Sequence, residues 1–134
     1  MDEQEKKMSL VKEWIHKAER DLFTAHLTID NKPEYTDIIC YHCQQAVEKY
    51  LKAYLVHLDT PFERKHDLDY LIDLIVENDK EIEQFYDIVE TLSGYAVEIR
   101  YPDDWSEPTM EEAKTAYKIA IRIKEYVIKR IGIE

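Results

Sequence analysis

A chain of 134 residues has room for one sizeable hydrophobic core and not for two, so a single domain over residues 1–134 must carry whatever the protein does. Only 2 Gly and 4 Pro stand against 45% hydrophobic and 35% charged residues, which excludes turn-dense sandwiches and barrels and predicts an all-α fold. The formal net charge of −11 argues against general nucleic-acid binding, which depends on clustered Lys and Arg neutralising phosphates.

The first apolar stripe is Val11, Trp14, Ile15, Ala18, Leu22, Ala25 and Ile29, at helical spacing, and it ends before Asn31-Lys32-Pro33. A second helix carries Ile39, Cys43, Ala46, Val47, Tyr50, Leu51, Tyr54 and Leu58 and stops at Thr60-Pro61. A loop over 59–66 leads to Asp67, placed to cap a short helix with Leu68, Leu71, Ile72 and Ile75 on its apolar face. After Asn78-Asp79 the stripe of Ile82, Phe85, Tyr86, Val89, Leu92, Ala96 and Ile99 predicts another long helix, in which Gly94 marks a close approach or a bend.

That helix has to end by Tyr101, because Pro102 disfavours helical geometry in the residue before it. Thr109 and Glu112 then have the spacing of a capping box and open a last helix striped with Ala113, Ala116, Tyr117, Ala120, Ile121, Val127, Ile128 and Ile131. The sum is an antiparallel up-and-down four-helix bundle with one additional short helix. The 10 tyrosines suit surfaces where rings bury and hydroxyls stay wet, as at the interface of a homodimer. No apolar run reaches the ~18 residues that span a bilayer, and the opening MDEQEKKMSL is too polar for a signal sequence. A soluble, cytoplasmic protein is expected, and two cysteines three apart agree with a reducing compartment.

Charge is distributed unevenly along the chain. Residues 67–112 hold 15 Asp/Glu against 2 Lys/Arg, whereas residues 113–134 hold 6 Lys/Arg against 2 Asp/Glu. Any polyanion would therefore need a local basic pocket.

Several residues invite a chemical reading. Cys40 and Cys43 share a helix face, but zinc would need two further ligands, and Cys43 lies on the apolar stripe, so packing is the expected role and no metal site is assigned. No glycine-rich phosphate loop exists in a chain with two glycines, and no cofactor is expected. Tyr41, Gln45, Glu48 and Lys52 follow spacings of four, three and four and make one polar stripe, flanked by Gln44 and Lys49. Charge patterns of this kind are usually solvent faces, here with an exposed Glu48–Lys52 pair. Asp103, Asp104 and Glu107 read as a polar loop near a helix start. Arg100, one of the two basic residues of the acidic block, has the planar fork suited to a carboxylate or a phosphate.

Taken in order, CYHCQQAVEKYLKAYL, then KHDLDYL, then RYPDD resembles the HEPN family of small helical-bundle proteins. Gln44, Gln45, Ala46, Glu48, Lys49, Leu51, Lys52 and Ala53 fit its pattern, as do His66-Asp67-Leu68 and Arg100-Tyr101-Pro102-Asp103. The resemblance implies a dimeric four-helix core, a nucleotide or RNA ligand, and a toxin–antitoxin context beside a minimal nucleotidyltransferase. It points to Gln45, Lys49, Lys52, His66, Arg100, Tyr101 and Asp103 as ligand-binding residues.

Some family members are metal-independent ribonucleases that carry an Arg followed four to six residues later by a His. Here the positions after Arg100 hold Trp105, Ser106 and Glu107, and no histidine follows His66. Whether the chain is an enzyme stays open on this reading, with Arg100 and His66 as the catalytic candidates of a divergent ribonuclease. Arg20 and His26 have the required spacing but lie on the first helix.

Overall fold

The computed structural model describes residues 1–95, 102 and 107–133, and every regular element among them is helical. α1 spans Glu3–Asn31, α2 Thr36–His57, α3 Leu68–Val76, α4 Tyr86–Glu90 and α5 Met110–Ile131, with 3-10 turns at Lys80–Phe85 and Ser93–Tyr95. The expected all-α bundle is observed.

α1 opens on a capping box in which Asp2 accepts the Glu5 backbone N–H at 2.8 Å, and it stops short of Pro33. The Thr109–Glu112 box at the head of α5 forms as expected, with both of its reciprocal bonds at 3.0 Å. At the other end Gly132 takes φ +83°, the left-handed geometry that a helix-terminating glycine adopts without strain.

Contacts along the helices fix their directions. Lys7 pairs with Asp59 at 3.0 Å and Asp21 with His42 at 2.8 Å, so α1 and α2 are antiparallel. Thr36 donates to the Pro108 carbonyl at 2.7 Å near the start of both α2 and α5, while Tyr54 and Tyr126 meet at Asp79 farther along, so these two helices are parallel. The return leg between them is built from α3, the two turns and α4. The core runs through all of these elements, and α2 contributes most to it, buried from Ile39 and Cys40 through Leu55.

The region expected to be one helix over 82–99 is broken within the described residues. Asp79 causes much of this: it is 7% exposed, accepts the Tyr54 and Tyr126 hydroxyls at 2.7 Å each, and takes the Glu81 backbone N–H at 3.1 Å. A tertiary anchor at that point sets the path of the following turn and overrides the periodicity. Farther on, Thr91, Ser93 and Gly94 are poor helix formers in close succession. Gly94 belongs to a bend, since a Cβ there would meet nothing within 4 Å. Asp67 precedes α3 as expected, but its side chain makes no capping bond.

Two tyrosines depart from the wet-hydroxyl pattern: Tyr54, whose hydroxyl is taken up by buried Asp79, and Tyr50. Tyr50 is fully buried and its hydroxyl has no hydrogen-bond partner among the described residues. Burial pushes its ionisation well above that of an ordinary tyrosine, and Glu19 and Tyr117 push in the same direction. Tyr50→Phe removes an unsatisfied group and is expected to raise stability by about 1 kcal/mol. A urea midpoint lower than that of the wild type would show that the hydroxyl has a partner.

Candidate functional site

α2 lies so deep in the bundle that, beyond Thr36 in its first turn, Gln44, Glu48 and Lys52 are also buried, at 0%, 3% and 6% exposed. They are spaced by four and form one stripe. The solvent-face reading of Glu48 and Lys52 is thereby corrected. A carboxylate and an ammonium withdrawn from water require each other, and Lys52 Nζ donates to Glu48 Oε2 at 2.9 Å. The same ammonium lies 5.4 Å from the Trp14 ring centre and 5.8 Å from that of Phe62, and these two rings meet edge to face at 6.3 Å. Trp14 of α1 and Phe62 of the loop after α2 roof the pair and keep water from it.

Glu48 also reaches outward. Its two carboxylate oxygens lie 3.1 and 3.2 Å from His66 Nδ1, although the His66 side chain is 70% exposed. A carboxylate only accepts, so Nδ1 carries the hydrogen, and Nε2 presents a bare lone pair when the ring is neutral. Among the described residues Nε2 has no partner. The sequence Lys52, Glu48, His66 is thus a line of charge running from the core to the surface. Gln44 extends it by donating to the His66 carbonyl at 3.5 Å, and Gln45 donates to Gln44 at 2.7 Å.

Lys49 turns toward α1, where Asp21 accepts from its ammonium and from His42 Nδ1. Burial pushes the Asp21 carboxyl up, but the bonds from His42 and Lys49 outweigh it and hold the group below its ordinary range. The expected ligand-binding residues therefore separate into two places: Lys52, His66 and Gln45 on the Glu48 line, and Lys49 at Asp21. Arg100, Tyr101 and Asp103 lie outside the described residues. Two groups were not legible as site members beforehand. Glu48 links the line, and its signal was its place in the polar stripe between Gln44 and Lys52; Asp21 joins α1 to α2 across 28 residues and left no local signal.

His66 stands at one wall of a groove of about 600 Å³. Asp67, Asp69, Asp73 and Glu90 line it with Leu68, Ser93 and Tyr86, whose hydroxyl donates to Asp73. Such walls repel phosphate and attract cations. Cys40 and Cys43 are buried and unlinked, and burial pushes the Cys40 thiol up to about 11 and Cys43 higher still, which fits packing. Among the described residues no three His, Cys, Asp or Glu side chains converge in a way that could hold a metal. No helix among them is long and apolar enough to cross a membrane.

No curated protein matches the chain. Among solved structures, that of an archaeal HEPN homologue superposes with a TM-score of 0.65 at 28% identity, covering 90% of this chain and 97% of that one. The family model of the HEPN domain matches residues 11–131, from Val11 at the first buried turn of α1 to Ile131 at the end of α5. With the bundle, the buried Glu48–Lys52 stripe and His66 all inside that span, the chain belongs to the HEPN domain family.

Proposed function

We propose that the chain is the binding component of a toxin–antitoxin type system, a cytoplasmic homodimer whose partner is a minimal nucleotidyltransferase. The observation that carries this reading is the groove at His66. Its described walls carry four carboxylates, and an imidazole held by a buried glutamate stands at its edge. A surface of that sign suits a basic patch on a protein partner. A nucleotide would need its phosphate contacts from Arg100, with Tyr101 and Asp103 beside it, so nucleotide binding is the secondary part of the reading. Titration calorimetry with the cognate nucleotidyltransferase and a panel of nucleotides is expected to show binding to the protein; heat from neither would end the proposal.

A second reading has one specific support. A buried Glu that orients a His and leaves its other nitrogen bare is an arrangement suited to general acid–base chemistry. In a divergent ribonuclease His66 would exchange protons with the ribose hydroxyl or the leaving oxygen, and Arg100 would hold the phosphate. Purified protein that leaves total RNA intact would remove this alternative, while cleavage abolished by Arg100→Ala and His66→Ala would establish it.

A further inference from the structure

On a different face, α1 and α5 enclose a groove of about 560 Å³ whose character is opposite to that of the chain as a whole. Arg20 of α1 and Lys124 of α5 line it with His16, His26 and one carboxylate, Glu19, and among the described residues neither Arg20 nor Lys124 has an ion-pair partner. Its apolar surface comes from Phe23, Tyr117 and Ile121. Phe23 is 61% exposed, and Leu27, one turn farther along α1, is 44% exposed. Two large apolar side chains at a spacing of four, left in water beside unpaired cations, form a surface that a partner could cover.

The charge of the groove restricts the occupant. A second copy of the chain docking here about a two-fold axis would bring two cations, Arg20 and Lys124, and one carboxylate, Glu19, from each groove, an excess of positive charge in the contact. A single-stranded nucleic acid needs a basic track along its backbone, whereas the cations here are confined to one short cleft of a chain with net charge −11. Aliphatic and aromatic walls flanked by cations match an amphipathic helix with apolar anchors on one face and carboxylates beside them.

We infer that the α1/α5 groove is a docking site for an acidic amphipathic helix of another protein, anchored on Phe23 and Ile121 and held by Arg20 and Lys124. This inference stands independently of the reading at His66.

The test uses the full chain and a synthetic helix of about 18 residues with Leu on one face and Glu on the other, followed by fluorescence anisotropy. Binding is expected, with a loss of at least about tenfold in the Arg20→Glu, Lys124→Glu double variant and in a peptide carrying Lys for Glu. The Asp69→Lys, Asp73→Lys variant is expected to bind it undiminished, which separates this site from the one at His66. The inference is overturned if the Glu peptide does not bind, if the Lys peptide binds equally, if charge reversal at Arg20 and Lys124 has no effect, or if oligoadenylate displaces the peptide.

Discussion

Lys52→Met will destabilise the protein by about 3 kcal/mol or more, because it strands the Glu48 carboxylate in the core. The two side chains are 4% and 7% exposed, so neither can recover its loss from solvent. Trp14 and Phe62 cover the pair, and among the described residues His66 is the other cation-forming group in contact with Glu48. Adding Glu48→Gln to the variant is expected to restore most of the loss, since the amide still accepts from His66 and carries no charge to strand. Urea denaturation of the single and double variants measures both values. An exposed ion pair at the same spacing would cost less than about 1 kcal/mol, and a loss of that size would mean that the pair is wet.

Asp79→Ala is expected to cost on the order of 3 kcal/mol, through several broken bonds at once. The Tyr54 and Tyr126 hydroxyls lose their acceptor at 2.7 Å, Arg130 loses a partner at 3.4 Å, and the turn at Lys80–Phe85 loses its cap. These bonds also predict a pH dependence. Burial raises the Asp79 carboxyl, but the two tyrosines, Arg130 and the Glu81 backbone N–H outweigh it and leave the group below its ordinary value of 3.8. A group depressed in the folded state contributes stability that is present above its unfolded value and is lost as pH falls through the folded one. Wild-type stability should therefore decline below about pH 4, and Asp79→Asn should flatten part of that decline. Asp21, also depressed by His42 and Lys49, and Glu112, depressed by its bonds to Thr109, contribute to the slope that remains.

The helices could be read from the sequence because their signals are local. The stripe from Val11 to Ala25, the stop at Pro33 and the Thr109–Glu112 box all lie within a few residues of what they specify. The break after Asp79 could not, because it depends on hydroxyls 25 and 47 residues away. The polar stripe on α2 was visible, whereas its burial was not: spacing reports which residues share a face, and only the assembled bundle reports what covers that face. Trp14 and Phe62, from two separate segments, turn Glu48 and Lys52 from a surface pair into an interior one. The same limit applies to His66, whose partner Glu48 lies 18 residues earlier.

The central claim is that the acidic groove beside His66 receives a basic surface of a nucleotidyltransferase partner. The measurement that bears on it most directly is the affinity of the cognate nucleotidyltransferase for the wild type and for the Asp69→Lys, Asp73→Lys variant. Both carboxylates are exposed, and the one bond lost is that from the Tyr86 hydroxyl to Asp73, so the bundle core is untouched and a matching urea midpoint checks the fold. The expected result is a loss of at least about tenfold in affinity, steepest at low salt. Equal affinity for the two proteins, or none for either, would contradict the account.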